Sequence, residues 1–320
     1  MKKLYFKISS AVLLAIIVLF FTPSCKSGSD SGSKNSYVSS GDVLTDILKS
    51  YRDGGMTSWW QIAAVYNANE NPLDYKGFDD VLTSLEGDTN IKMASYVIVV
   101  DIAAVIGADP GYYEKYEEYK AKLKNLLENP AAGVSLNDYI FGYYALKCSG
   151  MSFNQTPLTN YLLDAPKSDG GFALSGDVGD VDMTAIAVPV LKLLALNQNI
   201  DVKTNLDNAV KFLENSVSPD GTFLSIIANQ AENSNSTSVA LSALVCYYGD
   251  DGSSNDTIKK IRSGLDIFKV KDDAGYSYLK GGSNNMLATA QAAVALGDVK
   301  NKTSVWEKLY NDSLTAFTEE

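Results

Sequence analysis

The chain has 320 residues, of which 46% are hydrophobic and 20% charged, and 38 acidic against 27 basic residues give a formal charge of −11. This balance is typical of a folded globular chain, and an acidic chain is repelled by phosphate backbones, so nucleic acid is not expected as a partner. The sequence contains no histidine, which excludes a histidine base or a histidine metal ligand.

The first 24 residues have the pattern of a signal peptide, with a lysine-rich start and an apolar run from Ala11 to Phe21. Cys25 follows, and residues 25–40 form a Ser/Gly-rich tether. This arrangement resembles a bacterial lipoprotein signal, in which the cysteine becomes the lipidated first residue. We therefore expect a lipid anchor at Cys25 on the extracytoplasmic face of a bacterial cell membrane. The alternative is an ordinary cleaved signal peptide and a secreted protein.

Residues 41–320 are expected to form one domain of paired helices, because strand signals are scarce and helical periodicity is general. The first helix of each pair is amphipathic, and the second is apolar nearly all round, which predicts an inner layer coated by an outer one. The predicted second helices are Ser58–Tyr66, Met93–Ile106, Tyr139–Lys147, Met183–Leu196, Ser236–Tyr248 and Met286–Leu296. Cys148 and Cys246 fall in apolar helical patterns and are expected to be buried thiols.

The junctions inside the pairs repeat. Three copies of a turn motif, at 169–172, 220–223 and 273–276, combine Asp and Gly with an aromatic residue, and 53–56 is a degenerate copy. Gly allows the turn, and the aromatic ring can fill the joint between helices. An Asx residue follows each turn, and we expect Asp182, Asn235 and Asn285 to be the N-caps of the next helices.

Repeats of this length form arrays, and buried second helices favour a closed ring over an open solenoid. The sequence therefore predicts an all-α fold, an α/α toroid of about six helical hairpins. A final amphipathic helix, Val305–Phe317, is expected to finish the surface.

The runs GGFALSGDVGDVDMTAIAVPVL, NSNSTSVALSAL and GGSNNMLATAQAAVAL resemble repeats of the terpenoid cyclase and protein prenyltransferase α/α-toroid superfamily. The chain is most similar to bacterial extracellular prenyltransferase/squalene-oxidase repeat proteins, and the same toroid occurs in cobalamin carriers. The resemblance covers about residues 41–298. It implies the fold, whereas function varies across the superfamily and has to be argued from a site.

Two enzymatic interpretations follow from the toroid. Cyclases of the superfamily protonate their substrate with a DxDD run, which residues 180–183 match except that Met183 replaces the last carboxylate, leaving Asp182 as the possible donor. The zinc site of the prenyltransferases cannot be assembled without histidine, so no metal and no cofactor are expected. A carbohydrate-active toroid would use two carboxyl groups across a cleft, for which Asp101, Asp138 and Asp182 are candidates.

The third interpretation is a non-enzymatic ligand-binding or structural module at the cell surface, and it is the predicted function. A small molecule or surface ligand would occupy the funnel at the start of the inner helices, where amides, hydroxyls and aromatic rings collect. Candidate ligand-binding residues are Trp59, Trp60, Tyr96, Asp138, Tyr139, Asp182, Asn235 and Asn285. No catalytic residue is expected in this interpretation, and Asp182 is the alternative if the protein is an enzyme.

Overall fold

The computed structural model describes residues 42–131, 133–196, 200–225, 230–250 and 255–316, all within the compact unit Tyr37–Glu320. The predicted signal segment 1–24, the lipidation residue Cys25 and the tether 25–40 lie outside the described residues. None of the helices within the described ranges is long and apolar enough to cross a bilayer.

The described residues form helices that alternate between an outer and an inner layer. The helices are α1 (Val43–Gly54), α2 (Trp59–Asn67), α3 (Phe78–Ser84), α4 (Asn90–Val105), α5 (Tyr116–Glu128), α6 (Leu136–Cys148), α7 (Thr156–Asp164), α8 (Val181–Ala195), α9 (Ile200–Ser216), α10 (Ser234–Tyr248), α11 (Asp256–Leu265), α12 (Met286–Asn301) and α13 (Val305–Ala316). Two short antiparallel strands, β1 (Phe223–Ser225) and β2 (Ala231–Asn233), form a hairpin before α10.

The six even-numbered helices from α2 to α12 are the inner helices, and each packs on the next around a ring. The ring closes because α12 packs back onto α2. At this seam the Asn67 amide donates to the Val294 carbonyl at 2.9 Å and to Asp298 Oδ1 at 2.7 Å. The predicted all-α toroid of six hairpins is therefore confirmed.

Inner helices are buried on nearly every side, as their composition predicts, and the core of the domain lies within and around their ring. Outer helices cover the joints between them; α5, for example, contacts both α4 and α6. The outer helices α3 and α7 are only 7 and 9 residues long. Helices this short show little periodicity, so the sequence does not predict them individually.

The three C-terminal inner helices begin in the same way. An Asx side chain caps each helix by accepting backbone N–H groups, and a threonine four residues later bonds the aromatic residue of the preceding turn. The caps are Asp180, Asn233 and Asn285, and the threonines are Thr184, Thr237 and Thr289. The repeat is thus a cap residue followed at the fourth position by threonine.

This register corrects two of the three predicted caps. Asn285 is a cap as predicted, but Asp180 and Asn233 cap α8 and α10 in place of Asp182 and Asn235. Asp182 and Asn235 are instead the second residues of their helices. Their side chains are released from capping because another residue, two positions earlier, already accepts the terminal N–H groups.

The last helix, which the sequence leads us to expect at the surface, packs on inner helices. Helix α13 packs against four inner helices that are consecutive in the ring, α12, α2, α4 and α6. Trp306 is only 7% exposed, and Leu309 is fully buried. Its apolar face therefore faces the ring, and its polar contacts are with residues near the C-terminal ends of inner helices, such as Tyr66 and Lys192.

Candidate functional site

The end of the ring at which the inner helices begin is called the mouth. Its loops are held by the turn motifs of the repeats: Asp169 accepts hydrogen bonds from the backbone N–H groups of Gly171, at 3.0 Å, and Gly179, at 2.9 Å. A Cβ atom on Gly171 would lie 2.8 Å from the Gly179 Cα, so only glycine fits this close approach. These contacts hold the two ends of the loop together, so that Asp180 lies at the start of α8 and caps it.

Asp182 extends from the first turn of α8 toward the β1–β2 hairpin. Its Oδ2 accepts a hydrogen bond from the Ser225 hydroxyl at 2.9 Å. Its Oδ1 is buried and has no hydrogen-bond partner of normal geometry among the described residues. A carboxyl oxygen left in this state costs free energy unless it is protonated or meets a ligand.

Burial, joined by the negative charge of Asp180, raises the pKa of Asp182 to about 6. The hydroxyl groups of Ser236 and Ser225 act in the opposite direction, because hydrogen bonds to the carboxylate favour its charged form. Tyr278 lies near enough that the charge of Asp182, second to burial, raises the pKa of its phenol. The group is thus a carboxyl that can hold a proton close to neutral pH.

The two neighbouring serines are themselves held by secondary structure. Ser225 ends strand β1 and Ser236 is the third residue of α10, and both are only 1% exposed. The backbone N–H of Ser236 donates to the cap residue Asn233 at 2.9 Å. The hydroxyl environment of Asp182 is therefore built from rigid elements of the next repeat.

The axis of the ring behind the mouth is filled by aromatic rings. Trp59 stacks on Trp60 with ring centroids 4.4 Å apart, and Trp306 contacts both, at 6.0 and 5.9 Å. Phe141 and Tyr144 extend this cluster from α6, with Tyr144 stacked on Trp306 at 5.0 Å. We call these five residues the axial cluster.

A small cavity remains beside the axial cluster, between Trp60, Trp306 and residues of α8, α10 and α12. Its volume is about 20 Å³, which is room for one water molecule. A substrate of the size of a sugar or a polyene does not fit there.

The predicted aromatic site residues are packed inside the domain. Trp59 and Trp60 belong to the axial cluster. Tyr96 packs edge-on against Tyr119 of the outer helix α5, with centroids 5.2 Å apart. Tyr139 is fully buried, and its ring lies 4.6 Å from that of Tyr161 on α7. Both tyrosines therefore face the outer layer.

The polar candidates fall into two groups, those that cap a helix and those that do not. Asp138 forms a capping box with Ser135, whose hydroxyl donates to it at 2.8 Å. Asn285 accepts from the backbone N–H of Ala288 at 2.9 Å. Asn235 is half-buried, with an Oδ1 that is buried and unpartnered among the described residues. Of the predicted candidates, Asp182 and Asn235 are therefore the two that keep a buried side-chain oxygen without a partner among the described residues.

Asp101, a further carboxyl candidate, lies far along α4 and is fully buried. The Tyr116 hydroxyl donates to its Oδ1 at 2.5 Å, and burial raises its pKa well above the usual value. It is the twelfth of the sixteen residues of α4 and so lies away from the start of its helix. In the described parts of the chain, no group of three His, Cys, Asp or Glu residues could hold a metal ion.

Sequence reasoning missed the hydroxyl environment of Asp182. Ser225 lies 43 residues away in the chain and reaches Asp182 through the β1–β2 hairpin. The signal that could have separated cap from free carboxyl was present, since threonine follows each true cap at the fourth position. Aligning the repeats on Thr184, Thr237 and Thr289 assigns Asp180 as the cap.

The fold defines the class of protein as an α/α toroid. No family model and no curated protein matches the chain. Two solved structures are similar in fold. The unsaturated glucuronyl hydrolase from Bacillus sp. GL1, responsible for the degradation of glycosaminoglycan, has a TM-score of 0.56 and 11% identity, with 80% of this chain and 94% of that chain covered. A possible member of the GH105 family from Salmonella enterica serovar Paratyphi A has a TM-score of 0.56 and 11% identity, with 84% and 97% covered.

These similarities support a toroid superfamily, but they do not support the terpenoid cyclase assignment within it. They also correct the predicted function. The comparisons contradict the non-enzymatic module expected from the sequence, since one similar toroid is a glycosaminoglycan-degrading hydrolase and the other is a possible GH105 member. One of the grounds for that prediction, the assignment of Asp182 as a helix cap, is also wrong, because Asp180 caps α8.

Proposed function

We propose that this protein is a carbohydrate-active hydrolase that uses Asp182 as a general acid at the mouth of the toroid. The observation that carries the proposal is the state of the Asp182 carboxyl. It is free of capping, it has a buried oxygen without a partner among the described residues, and its pKa is raised to about 6. The similarity in fold to glycan-degrading toroids agrees with this activity without establishing it.

A general acid in glycoside cleavage has to be protonated when the substrate binds. With a pKa near 6, about a tenth of the Asp182 carboxyls carry a proton at pH 7 and about half at pH 6. An exposed aspartate, with a pKa near 4, would hold about a thousandth at pH 7. Burial and the charge of Asp180 therefore keep a fraction of the Asp182 carboxyls protonated, as a general acid requires.

The proposed reaction is hydrolysis of a glycosidic bond by water. Asp182 gives its proton to the oxygen of the leaving sugar as the bond from the anomeric carbon to that oxygen breaks. Water adds its oxygen to the anomeric carbon and releases a proton to solvent, and the Asp182 carboxylate takes up a proton before the next cycle. Ser225 orients the carboxyl through its hydrogen bond to Oδ2.

We do not propose a cyclase activity from the resemblance to terpenoid cyclases. A polyene has to be enclosed in a large apolar cavity, and the axial cluster occupies that space. The remaining cavity of about 20 Å³ is too small for such a substrate. The missing last carboxylate of the DxDD run, at Met183, argues in the same direction.

We also propose that the enzyme is tethered to the outside of a bacterial membrane through a lipid at Cys25. The support is the sequence alone: the apolar run, the cysteine and the Ser/Gly-rich tether. Such a tether behaves as a flexible coil, which would let the mouth reach glycans near the cell surface.

The test of the proposed activity is a screen of the purified protein against oligosaccharides, with product formation measured by mass spectrometry. Asp182→Asn is expected to lower the rate at least a hundredfold on any substrate found. The matched control is Asp177→Asn, which removes an exposed carboxyl from the loop before the same helix. Equal rates in the wild type and in Asp182→Asn would refute the proposed role.

A further inference from the structure

Helix α8 contains a proline in its middle, which interrupts the hydrogen bonds of the helix. Pro189 is the ninth of the fifteen residues of α8. Because proline has no backbone N–H, the carbonyl of Ala185, four residues earlier, cannot accept the hydrogen bond that a helix normally supplies. A buried carbonyl in this position costs free energy unless another donor reaches it.

The interruption lies against the small cavity beside the axial cluster. Ala185 and Pro189 both line this cavity, whose volume is about 20 Å³, and both are buried. Residues four apart lie on the same face of a helix, so one face of α8 presents both of them to the cavity. The cavity is therefore placed where a donor for the Ala185 carbonyl is needed.

Two neighbouring inner helices each add a polar side chain to the same cavity. Ser242 of α10 and Gln291 of α12 line it, and both are half-buried. Gln291 Oε1 is buried and has no hydrogen-bond partner within the described part of the chain. A glutamine amide has a donor end and an acceptor end, which exchange places when the group turns about its last torsion. Either end can therefore serve a small molecule in the cavity.

The size and the lining of the cavity select the molecule. Its other walls are apolar side chains and indole rings, from Trp60, Ile186, Val239, Ala243, Val294 and Trp306. None of the described residues that line it is charged, so an ion would lose its hydration there without an opposite charge. One water molecule fits the volume, and a buried water molecule typically makes about three hydrogen bonds.

We propose that this cavity is a binding site for one ordered water molecule. The water donates to the Ala185 carbonyl and to the Ser242 hydroxyl oxygen, and it accepts from the Gln291 amide. It replaces the hydrogen bond that Pro189 removes from α8, and it joins α8, α10 and α12 beside the axial cluster. The site stabilises the ring and does not depend on the proposed activity.

A high-resolution crystal structure of the purified protein tests the site directly. We expect one peak of electron density in the cavity, at about 2.7–3.2 Å from the Ala185 carbonyl oxygen and from a polar atom of both Ser242 and Gln291. A cavity without density, or a peak that does not contact the Ala185 carbonyl, would overturn the inference.

Gln291→Met tests the same site in solution, because it keeps the length of the side chain and removes its hydrogen bonds. If the water is bound, the variant takes away one of its partners. The equilibrium constant for unfolding, measured with denaturant, is then expected to rise about fivefold or more. In a dry cavity the same change removes a buried oxygen that has no partner, so stability would be unchanged or higher. That result would contradict the bound water.

The matched control is Gln155→Met. Gln155 is also half-buried, and its Oε1 is also buried without a partner among the described residues, but it does not line the cavity. Its backbone carbonyl accepts the Thr159 hydroxyl at the start of α7, and the substitution keeps that bond. This variant should be neutral or slightly stabilising. An equal loss of stability in both variants would contradict a role of the cavity.

Pro189→Ala tests the reason for the site. Alanine restores a backbone N–H that can donate to the Ala185 carbonyl. In a crystal structure of this variant, the density in the cavity is expected to weaken or to move away from Ala185. A peak of the same strength at the same position would show that the interrupted helix does not hold the water.

Discussion

Asp180 and Asp182 stand two residues apart at the start of α8 and have different tasks. Asp180 Oδ1 accepts the backbone N–H groups of Asp182, at 3.0 Å, and Met183, at 3.2 Å, and so caps the helix. Its charge is also second to burial among the causes that raise the pKa of Asp182 to about 6. One carboxylate therefore fixes the helix and tunes its neighbour, and the neighbour is left able to carry a proton.

This relationship predicts the effect of Asp180→Asn on the pH profile. Asparagine caps helices as well as aspartate does, and Asn233 and Asn285 already cap α10 and α12 in this chain. The variant should therefore keep its fold but lose the repulsion that raises the pKa of Asp182. The alkaline limb of the rate profile is expected to move to lower pH by up to about one unit.

The profile is measured as kcat/KM against pH, since this parameter reports ionisations of the free enzyme. Asp169→Asn, which alters another carboxyl of the same loop, should leave the position of the limb unchanged if the protein remains folded. A limb that stays in place in Asp180→Asn would mean that the Asp180 charge does not tune the acid.

The sequence predicted the ring of hairpins because the apolar inner helices differ so clearly from the amphipathic outer ones. It failed at the register of the caps. Asp180 and Asp182 are both Asx residues within one turn of the helix start, and the residue that caps is the one four positions before Thr184, whose Oγ1 bonds the backbone of Phe172. Cap propensity depends on the residue type near the helix start and does not include this tertiary contact.

The place of the last helix was also beyond local patterns. Its amphipathic pattern is equally compatible with an outer helix and with a helix that packs across inner helices. The position of the helix is set by the packing of Trp306 against Trp59 and Trp60, in the first hairpin of the chain. Contacts between residues so far apart in the chain depend on the three-dimensional packing of the ring.

Gly297 tests the closure of the ring. A Cβ atom at this position would lie 2.5 Å from the Asn67 amide nitrogen at the α2–α12 seam. Gly297→Ala is therefore expected to lower the free energy of unfolding by about 1–3 kcal/mol, despite the better helix propensity of alanine. Denaturant unfolding measures this.

The control for the seam is Gly54→Ala. Gly54 is helical, and a Cβ there would have no heavy atom within 4 Å, so this variant should be neutral or slightly stabilising. Equal stability of both variants would mean that α2 and α12 do not meet as closely as described.

Asp298 predicts how stability depends on pH. Burial raises its pKa to about 7, although Asn67 and the backbone N–H of Val305 donate to it. Because the folded state holds this proton more tightly than the unfolded state, the free energy of unfolding should fall as pH rises from about 4 to about 7. Chemical denaturation at a series of pH values measures the slope.

In Asp298→Asn the slope should be smaller, since the amide oxygen can accept the same two hydrogen bonds and does not titrate. Asp101 and Asp182, whose pKa values are also raised, leave part of the slope in place. An unchanged slope in the folded variant would show that Asp298 does not bind the proton.

The proposed anchor is tested with Cys25→Ala in the full chain. Loss of the lipidated residue is expected to move the protein from the membrane fraction to the medium or to the soluble extracytoplasmic fraction, as followed by immunoblotting. Ser29→Ala, in the same tether, should keep its distribution. Continued membrane retention of Cys25→Ala would contradict lipidation at this residue.

The central claim, that Asp182 protonates the leaving group, is tested most directly by pairing Asp182→Asn with two substrates that carry the same sugar. One has an ordinary sugar leaving group, and the other has a nitrophenolate that departs without protonation. We predict a loss of at least about a hundredfold on the first substrate and less than about tenfold on the second, because only the first needs the acid. Equal losses on both substrates would contradict the assignment of Asp182 as the general acid.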